Sequence, residues 1–548
     1  LCEEIILRRN RLPEAKTLKA QGAIVGAGPV GILLAILLGK KGHSVIIADR
    51  WPDVYDLPRA VTMDAEVARI LATLGIDCDN DEAFENHREL YYWKNADLKD
   101  LQIVDWKSLS PSGWYATYWF NQPQLEARLM SILTKLKNVK VMRGWEALKI
   151  FNGPNNVKLD LQQTPELFGR NGEKIKIKAK YLVGADGANS HVRDALGVSM
   201  VDKGYFFDWL ILDIIPGKDY QMHPAQWQLC DPNRPTTLVP GGPGRRRWEF
   251  MVLPEENAKE IAKPESAWRL LQPWDLCPDN ATLERSAMYR FKASWANKWR
   301  VGRCLLAGDS AHLMPPFAGA GMCAGLRDSV ALGWRLDTIL VGKTTEKLLD
   351  SYESERKPHA KQYIDFSQQL GEIICIIDPE KAVERDKKMI SELVARGYEP
   401  IAGDRFKLGS GIWCEDKAGT GEISAQGIVE YLGKRDRFDQ AVGQGWFVIA
   451  VNRCTLNLLG PGQLAILESL DGKLLSIGPA KFEYDVIDIC GFYSDWSEEI
   501  DACYLIIRPD FYVAASAKTP AELSHCFDRV MNMLNLEIKT NVEYRQSD

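Results

Sequence analysis

Residues Ala23-Ile24-Val25 form a short apolar run, and the following segment, 29–42, is apolar at most positions before it stops at Gly42. Ser44-Val45-Ile46-Ile47-Ala48 is a second run, apolar on both faces as a buried parallel strand requires. Strand, helix and strand make a βαβ unit at the start of a doubly wound sheet. Apolar residues at 67, 70, 71 and 74 predict a helix over 65–74. Another is predicted over 122–136, with Pro123 in its first turn. From 201 to 295, short runs such as Trp209–Leu212 and Trp248–Val252 alternate with Pro/Gly turns, the texture of a mostly antiparallel sheet. Residues 304–307 return to a buried strand, and helical stretches follow at 321–341 and 346–370. Residues 398–425, rich in glycine and polar groups, read as a linker. Apolar runs at 446–451 and 503–507 and an amphipathic helix at 519–534 then suggest a separate C-terminal α/β domain.

The first βαβ unit carries Gly26-Ala27-Gly28-Pro29-Val30-Gly31 between its strand and its helix. Gly26 permits the tight turn, Gly28 lets backbone approach a pyrophosphate, and Gly31 lets the helix pack on the strand. The helix N-terminus presents its N–H groups and positive dipole end to phosphate. Asp49 ends the second strand, at the spacing where a carboxylate accepts ribose hydroxyls, and Arg50 follows it. Gly22 to Gly39 is apolar enough to resemble a membrane span, but five glycines and Pro29 argue against one. Residues 1–21 carry both charges and no signal-peptide cleavage pattern, so a soluble, cytoplasmic protein is expected.

Two later turns share a glycine–acid pair: Asp186-Gly187 after the run Tyr181–Ala185, and Gly308-Asp309 after Leu305–Ala307. In each, glycine allows close backbone approach and the acid suits sugar or ribityl hydroxyls, not phosphates. Each alone also reads as an ordinary Asp-Gly turn.

The 548 residues allow two to four domains. A net charge of -6 gives no footprint for nucleic acid. The 12 cysteines form no C-x-x-C pair, and no histidine pairs at i, i+4 with another ligand, so neither a disulfide framework nor a metal site is expected.

In order and content the three motifs resemble the single-component (class A) FAD-dependent aromatic hydroxylases, the group of phenol hydroxylase and 3-(3-hydroxyphenyl)propionate hydroxylase. Pro58-Arg59-Ala60, Asn121-Gln122-Pro123, Cys230–Thr237, Arg246–Phe250, Gly308–His312 and Gly319–Asp328 carry the likeness, over roughly 20–380. It implies a Rossmann-like FAD-binding domain (18–95, 116–200, 296–370) with an inserted, mostly antiparallel β-sheet substrate domain (96–115, 201–295). A helical connector (371–400) and a thioredoxin-like C-terminal α/β domain (401–548) complete the expected architecture. Ile507–Ala514 carries the thioredoxin-like resemblance; without C-x-x-C a structural or homodimer-supporting role is expected.

The resemblance further implies site roles. Arg59 lies near the flavin phosphates or the arriving nicotinamide, or else forms a surface ion pair. Gln122 contacts the ribityl–pyrophosphate region, Asp186 and Gly187 the FAD edge, and Gly308 and Asp309 the ribityl chain. Gly319, Gly321, Met322 and Cys323 open a helix whose N–H groups face the flavin pyrimidine carbonyl, which becomes anionic on reduction. Pro315 and Pro316 lie beside the substrate ring. Asp64 is either a helix N-cap or an aid to phenol deprotonation. Trp209, Trp227, Trp248, Phe250 and Phe317 are candidate pocket walls. Arg245-Arg246-Arg247 reads as a solvated strand end, His312 as a partner of local backbone, and Cys323 as a packed helix start. The implied reaction consumes NADPH or NADH and O2 and hydroxylates a small phenolic substrate through a flavin C4a-hydroperoxide. Epoxidation, dearomatisation or Baeyer–Villiger oxidation of a polycyclic compound stays open. So do a flavin oxidase or reductase and a non-catalytic FAD-binding interaction protein.

Overall fold

The computed structural model describes residues 16–165, 172–403, 405–453 and 455–536. They divide into two compact units. The first comprises the described residues up to Tyr55, with Leu129–Val201 and Trp295–Leu313; the second comprises Asp56–Arg128, Asp202–Ser294 and the described residues from Met314 onward.

In the first unit, β1 (Lys16–Val25), α1 (Pro29–Lys40) and β2 (Val45–Asp49) form the βαβ unit. β1 runs further toward its N-terminus than 23–25, because its polar first half pairs in register with Ile175–Ala179. The parallel order is Cys304–Leu306, Lys174–Gly184, β1, β2, Val139–Arg143. α1 is apolar all round because Ile32, Leu33, Leu34, Ala35, Ile36 and Leu38 are all buried. Gly39 is required by close packing: a Cβ there would lie 2.6 Å from Val139.

In the second unit the short strand Thr62–Asp64 leads into α2 (Ala65–Ala72). Its first sheet contains β3 (Tyr91–Asn95), β4 (Asp100–Val104), β5 (Met200–Pro216), β6 (Trp227–Cys230), β7 (Thr236–Pro240), β8 (Arg246–Met251) and β9 (Ala281–Ala296), in the order β9-β5-β8-β7-β6-β3-β4. From β5 to β4 the pairings are antiparallel except where β6 runs parallel to β3. The expected boundary at 96 therefore falls between two paired strands, and β3 belongs with this sheet. α3 (Gly321–Leu340) and α4 (Asp350–Ile374) follow. α4 runs through the boundary expected at 370/371. A seven-stranded sheet of residues 428–517 and the helix Pro520–Met533 complete the unit.

The expected linker is packed structure. Leu408, Ile412, Trp413 and Cys414 are buried in one core with Trp446, Tyr504 and Tyr512. Its backbone bonds into the C-terminal strands, with Cys414 N–H donating to Ala514 O at 2.8 Å. The glycines serve close approach: a Cβ at Gly411 would sit 2.2 Å from Glu355.

Glu355 anchors a buried ion network. It accepts from Arg335 at 2.5 Å and from Arg508 at 2.7 and 2.9 Å, while Arg508 also grips Asp510 at 2.6 Å. Side-chain exposure of Arg335, Glu355 and Arg508 is 0%. Two cations meet two carboxylates, so no net charge is buried.

Candidate active site

Within the first unit the three glycine–acid turns stand at the C-terminal ends of three neighbouring parallel strands. Ala185 N–H donates to Val25 O at 2.7 Å, and Ala307 N–H to Gly184 O at 2.9 Å. Gly26 has φ +104, and a Cβ there would meet Ala185 O at 2.2 Å. A Cβ at Gly31 would meet Gly26 O at 2.0 Å. At Gly28 a Cβ would meet nothing within 4 Å. Two glycines are thus required by the protein's own backbone, whereas Gly28 faces open space at the N-terminus of α1, which no side chain caps. That is the shape a diphosphate needs, and these residues fit the FAD expected from the sequence.

The acids divide. Asp49 accepts from Ala27 N–H at 2.6 Å and Trp51 N–H at 2.8 Å, so its carboxylate fastens the glycine turn to β2. Arg50 is exposed, its guanidinium 5.0 Å from the Trp51 ring centre. Asp186 accepts from Ser190 Oγ at 2.5 Å and from Val192 N–H at 3.0 Å, holding its own turn and the helix after it. Burial pushes its carboxyl above the usual aspartate range. Asp309 is exposed on a single 3-10 turn, Gly308–Ser310, and Gly308 packs against Val30. His312 is buried against Trp299.

The second unit contains a cavity of about 620 Å³. Arg59, Asp64, Pro316, Phe317, Gly319, Gly321 and Met322 all border it. The 3-10 turn Pro316–Ala318 leads to Gly319 at φ +62, where a Cβ would strike Thr62 at 2.7 Å. α3 starts two residues later, and no side chain caps its N-terminus. Pro315 and Cys323 do not border the cavity; Cys323 is a buried thiol facing Gly319 O, which burial pushes up. Asp64 is the N-cap of α2, accepting from Val67 N–H at 3.0 Å, while its other oxygen accepts from Arg327 at 2.7 Å. Arg327 also donates to Glu66 at 2.6 Å. Gln122 is an internal brace: its carbonyl oxygen accepts from Ala60 N–H at 2.8 Å and its amide donates to Glu126 at 2.7 Å. It fixes the Arg59 loop, which leaves the exposed Arg59 side chain at the cavity edge.

Strand alternation decides which sheet residues face the cavity. Gln102, Trp93, Gln228, Thr237 and Glu249 are cross-strand neighbours in one row and all line it. Arg247, Val239, Tyr91 and Val104 line it in a second row. Trp227, Trp248 and Phe250 stand one position away and so belong to the opposite face, in a core with Leu212, Leu238 and Ala267. Trp209 is on the cavity side but wholly buried, packed on Phe291 and edge-on to Phe317. Of the five expected wall aromatics, only Phe317 borders the cavity. Tyr91, Trp93, Trp106 and Trp119 are among the aromatic walls that sequence reading missed. Period-2 parity about Arg247 and Glu249 was the available signal.

The arginine cluster also differs from the expectation of a solvated strand end. Arg247 is buried and bonds Asp213 at 2.7 and 3.0 Å, and its guanidinium donates to Pro58 O and Arg59 O. Arg245 pairs with Glu284 at 3.0 Å, and Arg246 donates to Ala225 O at 2.9 Å.

A consequence separates the two sheet faces. Trp248→Ala should lose about 3–5 kcal/mol of stability by emptying a packed site, yet leave KM for a ligand of the cavity near the native value. Phe317→Ala should raise KM several-fold. Thermal unfolding beside steady-state kinetics on both variants checks the assignment.

The first unit thus carries a dinucleotide-type glycine turn, and the second a partly open, aromatic-lined cavity. The FAD binding domain family model matches residues 19–367, and the HcaD C-terminal domain model matches 421–532. The probable NADH-specific resorcinol 4-hydroxylase of Rhodococcus jostii (strain RHA1) is 33% identical over 92% of this chain and 93% of its own length. A 3-(3-hydroxy-phenyl)propionate/3-hydroxycinnamic acid hydroxylase of Burkholderia vietnamiensis is 30% identical, over 90% and 93%. Among solved structures, the flavin-dependent monooxygenase PieE, in complex with FAD and substrate, aligns with a TM-score of 0.77 at 17% identity. That alignment covers 95% of this chain and 100% of PieE. Aklavinone-11 hydroxylase, in a ternary complex with FAD and aklavinone, gives 0.73 at 21%, covering 94% and 99%.

The chain belongs to the family of FAD-dependent aromatic hydroxylases. It is a monooxygenase that uses FAD with NAD(P)H as reductant. Among the described residues no helix is long and apolar enough to cross a membrane.

Proposed function

We propose that this enzyme hydroxylates a small, uncharged phenol of the resorcinol type, with NADH as electron donor. The wall chemistry of the cavity carries the substrate assignment, and the choice of NADH follows the NADH-specific relative. Its two buried cations are already matched, Arg247 by Asp213 and Arg327 by Asp64 and Glu66. Neither buried cation awaits a substrate carboxylate, and the other two bordering arginines, Arg59 and Arg405, are exposed at the cavity edge, which disfavours a carboxylate held inside the cavity. Neutral polar groups and aromatic rings suit a phenol instead.

Gly26, Gly28, Pro29, Val30 and Gly31 would hold the FAD diphosphate, with Asp49 and Arg50 at its adenosine side. Asp186 and Gly187 would border the FAD edge, and Gly308 and Asp309 would follow the ribityl chain. Within the second unit the uncapped N-terminus of α3, with Gly319, Gly321 and Met322 at the cavity and Cys323 packed behind, suits an anionic pyrimidine edge of a reduced flavin. FAD, when bound, supplies hydride acceptance and oxygen activation. The residues around the cavity bind and orient the ring and keep water out. A thioredoxin-like C-terminal domain acting as structural support fits the absence of C-x-x-C.

A second reading has one observation in its favour. About 620 Å³ exceeds what a single ring fills, so a polycyclic phenol could also enter. Holoenzyme assayed with resorcinol, 3-(3-hydroxyphenyl)propionate and a hydroxylated polycycle, with NADH and NADPH in parallel, separates these readings. The proposal expects resorcinol with NADH to give the highest kcat/KM. Preference for the propionate would overturn it.

A further inference from the structure

Five carboxylates border the cavity: Asp64, Glu66, Asp105, Glu249 and Glu422. Four are engaged. Asp64 and Glu66 hold Arg327. Asp105 accepts from Lys107 N–H, Ser108 N–H and Ser108 Oγ at 2.6–3.1 Å. Glu422 pairs with Lys407 at 2.9 Å. Glu249 differs. Among the described residues no hydrogen bond reaches its carboxylate, and its nearest cation, Arg247 Nη1, stands 3.8 Å away and is already bound to Asp213. Its side chain retains 13% exposure, on the side that alternation turns toward the cavity.

A largely buried carboxylate that no donor reaches is costly. The cost falls if the site's ligand brings the donor. Resting on the hydroxylase reading above, we propose that Glu249 is the catalytic residue that accepts the proton of the substrate's phenolic hydroxyl. The O–H bond of the phenol breaks, an O–H bond forms on Glu249, and the electron pair stays on the phenol oxygen. The ring becomes the stronger nucleophile. Arg247, on the same strand, compensates the charge as it leaves Glu249 for the phenolate.

The surroundings favour this transfer. Burial pushes Glu249 up to about 7, Arg247 pulls it down, Asp213 on β5 pushes it up, and Arg285 on β9 pulls it down. Tyr91 on β3 also faces it and is itself pushed up, first by burial. A phenol near 10 lies roughly six units above an ordinary glutamate but only about three above this one. The gap that the transfer must cross is thus roughly halved, and Arg247, beside the phenolate, closes the rest in the bound complex.

The test uses FAD-loaded Glu249→Gln and Glu249→Asp beside native holoenzyme. Resorcinol is first bound to the oxidised enzymes without reductant at about pH 8, and the phenolate ultraviolet band is read. The native enzyme should show the band, E249Q should lack it, and E249D should restore part of it. In turnover E249Q should lose about a hundredfold or more in kcat/KM. It should also lose the limb that rises with pH near 7 in the native enzyme. With 4-nitrophenol, already ionised, the native-to-E249Q ratio should shrink toward one. An equal phenolate band in E249Q, or an unchanged ratio for both phenols, overturns the assignment. If native enzyme binds resorcinol as phenolate but inserts no oxygen, the hydroxylase reading fails while Glu249 keeps its role as acceptor.

Discussion

Gly28→Val is expected to give folded protein that purifies without flavin. The three glycines of the turn are not equivalent. Side chains at Gly26 and Gly31 would collide with the protein's own backbone, at 2.2 and 2.0 Å. Substitutions there confound folding with binding. At Gly28 an added Cβ meets no protein atom within 4 Å, so the apo fold tolerates it. The isopropyl group would instead fill the space in front of the α1 N-terminus, where the FAD diphosphate must approach backbone N–H groups. FAD affinity should fall by about a hundredfold or more, on the order of 3 kcal/mol. The apo protein should melt within a few degrees of native apo protein. Flavin absorbance and differential scanning calorimetry on the two apo and two FAD-supplemented samples measure both. A yellow G28V protein with native flavin content would remove the diphosphate from this turn.

Glu355→Ala should have the largest effect on stability. The native network balances Arg335 and Arg508 against Glu355 and Asp510 with almost no solvent contact. Removing Glu355 leaves two buried guanidinium groups facing one carboxylate, and strands Ile412 N–H, which donates to Glu355 at 2.6 Å. Breaking one partner from such a network costs about 3–5 kcal/mol. The pH dependence has a definite sign. Burial alone would raise Glu355 and Asp510, but the two arginines outweigh it and hold both below the usual carboxylate range. Their contribution is therefore complete above the unfolded-state carboxylate pKa and lost as pH falls through that range and below. Native melting temperature should drop there, and E355A should drop less because half the effect is already gone. Calorimetry across that interval tests it; parallel curves for both proteins would contradict it.

The first βαβ unit was legible apart from the polar first half of β1, which only its pairing with Ile175–Ala179 fixes, because the rest of its chemistry is local. Glycine at 26, 28 and 31 and a carboxylate at 49 are fixed by one turn and one strand end. The helix starts at Pro29, Ala65, Gln122 and Gly321 were legible for the same reason: caps, prolines and glycines act within a turn. The cavity wall was harder to read because its facing is set by register. Trp248 and Phe250 are the conspicuous aromatics of their strand, yet Arg247 and Glu249 face the cavity. A one-residue parity decides between them, and only the pairing with Asp213 and Ile211 on β5 fixes it. Polarity misled in the same way at 398–425, where glycines permit close approach to Glu355 and Pro358 rather than flexibility. Arg247 looked solvated because its partner, Asp213, is 34 positions away in sequence.

The central claim is that FAD in this protein delivers one oxygen atom to a phenol. It is tested most directly by turnover of resorcinol and NADH under ¹⁸O2 with mass analysis of the product. The expected result is one ¹⁸O per product molecule, matched by one NADH consumed, with little hydrogen peroxide. Consumption of NADH that ends in peroxide, with no labelled product from resorcinol or any other phenol tried, would contradict it.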